Sequence, residues 1–309
     1  MSTTTAPSGG AARATRPFTA RASGLSASAG ALAALIVGGS VPVTGMLAGY
    51  PVLTGQALRY LLGGLLLLGW AALRRRPVPM PALRDLPALV GLAATGMLGF
   101  NAFMIAAQRW AEPGFVAAVL GATPLLLAIV APLAARRRPA PGALLGALAV
   151  LAGVALLSGG GSWHGPGLVL SVLTMLGEAS FTLLAVGVIA RLGALAVATW
   201  TCLIAAVGGA AAGTIVDGAA AWRLPDARET TALIVLGVLV TAVAFGLWYH
   251  CVSVLGADRA GVLIGLMPVA GLIASVALGA QPLDVVDVVG AVAVGAGCAI
   301  GVARRRAPS

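Results

Sequence analysis

The chain has 309 residues, of which 60% are hydrophobic and only 9% are charged, and its mean hydropathy is +1.02. Soluble domains carry about 25% charged residues, so this composition excludes a protein whose surface mostly faces water. The apolar residues form long continuous blocks and do not alternate with polar ones, which excludes a transmembrane β-barrel. The sequence therefore predicts an all-α integral membrane protein, because a helix satisfies its backbone hydrogen bonds within one segment.

The net charge of +10 comes from arginine, since the chain contains no lysine. The arginines stand in short clusters between the apolar blocks, so we expect no nucleic-acid partner. The three cysteines lie inside apolar blocks, where buried thiols are expected rather than a disulfide framework. They are Cys202, Cys251 and Cys298.

In chain order, residues 1–28 are rich in Ser, Thr, Ala and Gly, and we expect a disordered cytoplasmic tail without the apolar core of a signal peptide. Ten apolar blocks follow, each long enough to span a bilayer as a helix. They are 29–48, 53–73, 86–108, 113–135, 142–159, 166–190, 194–215, 230–251, 258–280 and 285–303. Residues 304–309 form a basic cytoplasmic tail. Helix breaks are expected at Pro42, Pro124 and Pro268.

The arginines also predict the orientation, because cytoplasmic loops of membrane proteins carry an excess of basic residues. With the N-terminus in the cytoplasm, three Arg clusters fall inside, at 74–76, 136–138 and 304–306, and only Arg109, Arg223 and Arg228 fall outside. An even number of spans then leaves both termini in the cytoplasm. We expect a multi-pass protein of a bacterial inner membrane.

An internal repeat becomes visible when the chain is shifted by 144 residues against itself. The shift aligns three glycines and a proline in consecutive spans without a gap: Gly121 with Gly265, Pro124 with Pro268, Gly146 with Gly290 and Gly153 with Gly297. The sequence predicts two five-helix repeats, 29–159 and 166–303. Five is odd, so the second repeat enters the membrane from the opposite side, as in many secondary transporters.

Several stretches carry a family resemblance. The second span opens with PVLTGQALRYLLGGLLLL, in which Arg59 precedes an aromatic residue, and small-residue helices lead to Pro124 and Pro268. Glycine-rich helices, GALAVLAGVALL and GAVAVGAGCAIGV, close the two halves. Over residues 29–303 the chain resembles the EamA-like transporters of the drug/metabolite transporter superfamily. The resemblance implies a ten-helix bundle that exports or imports metabolites, often coupled to a proton or an exchanged solute.

Two charged residues inside spans are candidates for substrate binding or coupling. Glu178 is near the middle of the sixth span, where an ionised side chain is costly, so it is expected to bind a proton or a cationic group. The alternative is a protonated Glu178 bonded across a helix contact. Arg59 lies roughly 9 Å below the outer end of the second span. It either binds an anionic substrate group or pairs with a carboxylate, or else it extends to the interface or bonds to backbone carbonyls at a helix break. If Arg59 and Glu178 face one cavity, that cavity suits a zwitterion such as an amino acid.

Other polar and aromatic residues are weaker candidates. Asn101 and Gln108 share a face of the third span, where they either line a pathway or join helices. Trp248, Tyr249 and His250 end the eighth block, as an interfacial belt or a gate. Trp200 in the seventh span contacts substrate or packs between helices.

The sequence contains no nucleotide-binding motif, catalytic motif or metal-ligand cluster, so no cofactor or metal is expected. The function predicted is secondary transport of small amino-acid-like or drug-like solutes by alternating access, in the direction of efflux, driven by a proton gradient or by exchange. The alternatives are a membrane-embedded enzyme and a channel-like membrane protein. The expected partners are a small-molecule substrate and the lipid bilayer, with a homodimer left open.

Overall fold

A computed structural model describes residues 20–159, 161–279 and 282–303, and the predicted tail residues 1–19 and 304–309 lie outside this described part. The described residues are helical, with short connections. Ten helical regions are long and apolar enough to cross a membrane, which confirms the predicted all-α fold with ten spans. Spans 1 to 10 are Ser23–Gly45, Val52–Leu73, Leu86–Ala107, Pro113–Ala134, Pro141–Ser158, Gly167–Leu192, Ala194–Trp222, Ala227–Leu255, Ala257–Ala277 and Val285–Val302.

Several spans consist of more than one helical segment. The α-helical segments are Ala20–Gly39, Val41–Gly45, Val52–Leu73, Leu86–Gly91, Phe100–Ala107, Pro113–Leu120, Thr123–Ala134, Pro141–Ser158, Gly167–Leu192, Ala194–Asp217, Ala227–Val235, Phe245–Leu255, Ala257–Val262, Leu266–Ala277 and Val285–Val302.

The first helix begins at Ala20, so the predicted disordered tail is wrong for residues 20–28. Ser, Ala and Gly give this stretch a low hydropathy, so its sequence does not indicate part of a transmembrane helix. The same small side chains allow close packing: a Cβ atom on Gly30 would lie 2.9 Å from a methyl carbon of Leu263 in span 9. Contacts with spans 8 and 9 therefore stabilise a helix that hydropathy alone does not predict.

Irregular helical turns recur at the same place in the two halves. Spans 3 and 8 contain π-helical segments, Leu92–Gly99 and Leu236–Ala244, whose first residues are separated by the repeat offset of 144. Span 4 is interrupted at Gly121, and span 9 passes through a 3-10 turn that ends at Gly265, again one offset apart. Insertions of this kind are frequent at functional sites in helices.

The packing of the spans has the same regularity. Spans 5 and 10 pack together, as do spans 2 and 7 and spans 4 and 9. Span 3 packs on span 6, and its equivalent, span 8, packs on span 1. These pairs of neighbouring spans are thus exchanged with one another, or kept, when each span is replaced by the one five positions away.

Arginine is concentrated at one of the two ends of the bundle. Successive spans cross in opposite directions, so their connections alternate between the two ends. We call the end with Arg74–Arg76, Arg136–Arg138, Arg191 and Arg259 the arginine-rich face, and the end with Arg109, Arg223 and Arg228 the arginine-poor face.

Candidate functional site

Glu178 lies near the middle of span 6 and its side chain is partly accessible. Its neighbour Gly177 brings spans 3 and 6 together, because a Cβ atom there would approach the Thr95 carbonyl oxygen to 2.9 Å. No side chain in the described part of the chain donates a hydrogen bond to the Glu178 carboxylate. The carboxylate is close enough to the hydroxyls of Tyr60 and Tyr249 to interact with them electrostatically. An acidic group in this position is free to bind a ligand or a proton.

Arg59 is buried in span 2, with 7% of its surface exposed. Its guanidinium carbon lies 4.8 Å from the ring centroid of Tyr60, in a cation–π contact. Its Nε–H has no hydrogen-bond acceptor, and no carboxylate among the described residues pairs with it. A buried guanidinium without an acceptor is costly, and an anionic ligand group would provide one.

Asn101 of span 3 is held between two partners. Its side-chain amide donates to the backbone carbonyl of Met97 at 2.7 Å and to the Tyr60 hydroxyl at 3.3 Å. Asn101 is 8% exposed and Tyr60 is 1% exposed, so this bond fixes the Tyr60 ring inside the bundle. Asn101 was predicted either to line a pathway or to join helices, and in the structure it joins span 3 to span 2.

Four aromatic residues from spans 2, 6 and 8 pack beside these polar groups, and we call them the central cluster: Tyr60, Phe181, Phe245 and Tyr249. The rings of Phe181 and Tyr249 stack with centroids 5.0 Å apart, and Phe181 and Phe245 are tilted at 4.8 Å. Such rings offer both an apolar surface and a face that attracts cations. Arg59 contacts Tyr60, and Glu178 interacts electrostatically with Tyr60 and Tyr249, so the central cluster and these two charged residues make up the candidate site.

The interfacial belt predicted at the end of span 8 is wrong for Trp248 and Tyr249. Span 8 continues to Leu255, which places both residues well inside the bundle. The Trp248 indole N–H donates to the Thr182 hydroxyl at 3.2 Å, and the Tyr249 hydroxyl donates to the Phe181 carbonyl at 3.4 Å. Burial of both side chains against span 6 makes Tyr249 a member of the central cluster.

Three predicted residues lie elsewhere. His250 is exposed and its ring nitrogen lies 3.4 Å from the hydroxyl of Ser26 in span 1. Gln108 is exposed just beyond the end of span 3, because the helix ends at Ala107. The Trp200 indole N–H donates to the Pro79 carbonyl at 2.9 Å, in the connection between spans 2 and 3. The structure does not bring these three side chains to Glu178.

The prolines predicted as helix breaks occupy comparable places. Pro42 and Pro124 lie at the starts of the segments Val41–Gly45 and Thr123–Ala134, where a missing N–H costs nothing. Pro268 is the third residue of Leu266–Ala277, directly after the 3-10 turn of span 9. Pro124 and Pro268 therefore follow the paired irregular turns of spans 4 and 9.

Phe181, Phe245 and Tyr60 were not singled out from the sequence. Phe181 follows Glu178 by three residues and Phe245 precedes Tyr249 by four, spacings that place each pair on one helix face. This helical spacing from a charged or polar residue is the sequence signal that could have identified Phe181 and Phe245. The contact between the two faces depends on tertiary packing, which the spacing does not report.

Both halves of the chain are similar to one known protein family. The model of the EamA-like transporter family matches residues 25–159 and again residues 165–302. The chain belongs to the EamA-like transporter family. The two matches together cover nearly the whole described part, one for each half of this EamA-like protein.

A curated relative and a solved structure are similar over most of the chain. The uncharacterized transporter YetK of Bacillus subtilis (strain 168) is 25% identical over 286 residues, which cover 90% of this chain and 87% of YetK. A crystal structure with 21% sequence identity superposes with a TM-score of 0.77, covering 90% of this chain and 97% of the other. The family is a transporter family, so this EamA-like protein is a multi-pass membrane protein related to transporters of small solutes.

Proposed function

We propose that this EamA-like protein is a secondary transporter that exports small amino-acid-like or drug-like solutes by alternating access. The observation that carries the proposal is Glu178, a carboxylate without a hydrogen-bond partner among the described residues, beside the central cluster in the middle of the membrane. Ionisable residues at this depth are costly, and they mark substrate and ion pathways.

A zwitterion fits the chemistry of the site. Arg59 and Glu178 both interact electrostatically with Tyr60, which places opposite charges on the same part of the bundle. A carboxylate of the solute would accept hydrogen bonds from Arg59, and an ammonium group would bind Glu178 and the faces of the aromatic rings. The apolar surface of Phe181 and Phe245 favours solutes with a hydrophobic side chain.

Alternating access requires two halves that can exchange conformations. The duplicated π-helical and 3-10 segments and the exchangeable packing of the spans support two repeats related by a two-fold axis. With five spans in each repeat, that axis lies in the plane of the membrane and the repeats are inverted. The substrate site near the middle of span 6 then lies between the two halves.

Energy comes from a proton gradient or from exchange, because the sequence contains no nucleotide-binding motif. Glu178 is the residue through which a proton would be coupled to solute binding, since the two compete for one carboxylate. The arginine-rich face is cytoplasmic by the positive-inside rule, in a bacterial inner membrane, with both termini in the cytoplasm.

Solute counterflow into proteoliposomes tests the proposal. Vesicles that contain purified protein are loaded with unlabelled amino acids or cationic drugs, and the uptake of a labelled solute is measured with and without a pH gradient. A carrier saturates and is stimulated by solute on the opposite side, whereas a channel is neither saturable nor stimulated in this way. We expect saturable, trans-stimulated uptake of at least one zwitterionic solute.

The variant Glu178→Gln separates coupling from folding. It keeps the shape of the side chain and removes its charge, so we expect counterflow to lose its dependence on pH. Glu112→Gln is the matched control, because it makes the same substitution at the arginine-poor face. There, Glu112 accepts a hydrogen bond from the Ser162 hydroxyl at 2.8 Å. Full activity of the Glu178→Gln variant, with an unchanged pH profile, would exclude coupling through Glu178.

A further inference from the structure

A network of hydrogen bonds around Arg223 closes the arginine-poor face between spans 8 and 1. The Arg223 guanidinium donates to both oxygens of Glu229, the third residue of span 8, at 2.8 Å for the longer bond. It also donates to the Gly49 carbonyl at 2.9 Å and lies 4.6 Å from the ring centroid of Tyr50. The Tyr50 hydroxyl donates in return to the Arg223 carbonyl at 3.0 Å. Gly49 and Tyr50 connect span 1 to span 2.

An ion pair closes the arginine-rich face between spans 3 and 6. The Arg191 guanidinium, at the end of span 6, donates from Nε to one oxygen of Asp85 at 2.5 Å, and its Nη2 atom lies 2.5 Å from the same oxygen. Asp85 directly precedes span 3. The second Asp85 oxygen accepts from the Ala82 amide at 3.1 Å. Asp85 is 1% exposed, and both of its carboxylate oxygens accept hydrogen bonds.

The two networks lie at equivalent places in the internal repeat, although their arginines come from different positions of it. Asp85 and Glu229 are separated by the repeat offset of 144, as are Pro79 and Arg223. The carbonyl groups of both Pro79 and Arg223 accept a bond from an aromatic side chain, Trp200 and Tyr50 respectively. Exchange of each span with its counterpart converts the contact of spans 3 and 6 into that of spans 8 and 1.

We propose that the Asp85–Arg191 ion pair and the bonds of Glu229-held Arg223 to Gly49 and Tyr50 are paired latches, one at each face, which open in alternation as the transporter changes its direction of access. This proposal rests on the proposed transport function. Asp85–Arg191 joins the beginning of span 3 to the end of span 6 in the other half. At the arginine-poor face, Glu229 holds Arg223 within the second half, and Arg223 in turn bonds to Gly49 and Tyr50 of the first half. Separating the halves at a face therefore breaks the bonds that join them there. The bonds of both latches are present in this structure, and all four residues of the central cluster are buried.

Asymmetry between the latches follows from their bonding. Arg191 bridges its two spans directly and is 39% exposed, whereas Arg223 stands between Glu229 and the connection of spans 1 and 2. Loss of Glu229 leaves Arg223 bonded only to Gly49 and its own loop. Loss of Asp85 leaves Arg191 without a carboxylate among the described residues. Neutralising either acid therefore weakens one face and leaves the other face intact.

Thiol accessibility tests the latches without knowledge of the substrate. Replacing Cys251 and Cys298 by Ala leaves Cys202, which is fully buried and interacts electrostatically with Arg59 and Tyr60. A membrane-impermeant maleimide is added to one face of oriented vesicles. We expect Asp85→Asn to accelerate modification from the arginine-rich face by roughly fivefold or more, and Glu229→Gln to do so from the arginine-poor face. Glu178→Cys, in a chain whose three native cysteines are replaced by Ala, provides a second reporter.

Controls separate a latch from a general loosening of the fold. Asp258→Asn neutralises another carboxylate at the arginine-rich face, and Glu112→Gln does so at the arginine-poor face. We expect both variants to leave the modification rates from both faces unchanged. Arg191→Gln and Arg223→Gln break the same ion pairs from the other partner. The double variant Asp85→Asn with Arg191→Gln should show the same modification rate as either single variant, because each of the three loses the same ion pair.

The outcomes distinguish this proposal from the proposed function. Equal acceleration from both faces, or none with either reporter, overturns the latches even if counterflow is observed. Acceleration restricted to one face for each variant supports them, and it does so even if no solute is transported, in which case the proposed function fails alone.

Discussion

Gly153 of span 5 and Gly290 of span 10 touch through their backbones in both directions. A Cβ atom on Gly153 would lie 2.7 Å from the Gly290 carbonyl oxygen, and one on Gly290 would lie 2.9 Å from the Gly153 carbonyl oxygen. Gly146 and Gly297 make the same reciprocal approach farther along the two helices. Because Gly146 is equivalent to Gly290 and Gly153 to Gly297, the two helices cross antiparallel through one self-complementary surface.

Alanine at either position is expected to separate spans 5 and 10. The added methyl group meets backbone atoms, which cannot rotate away, so Gly153→Ala or Gly290→Ala should lower the free energy of unfolding by about 1–3 kcal/mol. Gly295→Ala is the matched control, since open space surrounds Gly295 on the same helix, and alanine there should stabilise slightly. Thermal unfolding in detergent measures all three. An equal effect at Gly295 would contradict the close contact.

Arg59→Gln is expected to weaken the binding of solutes that carry a carboxylate. Hydrogen bonds to charged groups are worth about 1.5–3 kcal/mol, so the half-saturation concentration in counterflow should rise at least about tenfold. An amide analogue of the same solute should bind both forms equally. Arg228→Gln, an exposed arginine at the arginine-poor face, serves as the control. If the amide analogue is affected as strongly as the acid, Arg59 has a structural function.

Asn101→Ala removes the side-chain amide that donates a hydrogen bond to the Tyr60 hydroxyl inside the bundle. We expect a loss of about 1 kcal/mol in the free energy of unfolding, because the buried hydroxyl loses its partner. Gln108→Ala removes the same type of side chain from an exposed site just beyond the same span and should change nothing measurable. Chemical unfolding in mixed micelles compares the two, and equal stabilities of both variants would count against the bond.

The Asp85–Arg191 pair should be insensitive to pH over the physiological range. Burial by itself raises the pKa of Asp85, but hydrogen bonds from Arg191 and the Ala82 amide outweigh it and hold this pKa below its ordinary value. A lowered folded-state pKa means that the stabilisation is present above the unfolded value, about 3.9, and is lost as the pH falls through the folded value.

Melting temperatures of the native protein and of Asp85→Asn therefore should differ by a constant amount from about pH 6 to pH 8, with the native protein higher. The difference should shrink only in strongly acidic buffer. A difference that disappears between pH 6 and pH 8 would mean that Asp85 is not held as the ionised partner of Arg191. Asp258→Asn provides the comparison for a carboxylate at the same face.

Much of the fold could be predicted because the bilayer imposes one requirement on every span. Blocks of about 20 apolar residues must be helices, and the ten blocks were located to within a few residues for most spans. The errors occur where hydropathy is a poor guide, at the Ser-rich start of span 1 and at the ends of spans 7 and 8, which are longer than predicted. At the start of span 1 and the end of span 8, the additional helical residues pack against other spans.

The site could be predicted only in part. Glu178 and Arg59 were identified because a charge within an apolar block is costly and therefore conspicuous. Trp200 and Gln108 were conspicuous for the same kind of reason, yet the structure turns Trp200 toward the Pro79 carbonyl and leaves Gln108 at the end of its helix. Phe181 and Phe245 were hidden because an aromatic residue in an apolar block carries no such signal.

The sequence by itself determined the helices, their number and the internal repeat, since those follow from residue types and from spacing along one chain. Only the tertiary structure decided which faces of the spans meet. It placed Tyr60, Phe181, Phe245 and Tyr249 side by side, and it paired Asp85 with Arg191 across two spans. The physical reason is that lipid selects for hydrophobicity along a helix, whereas close packing selects the rotation of each helix, and small residues permit many rotations until the whole bundle is assembled.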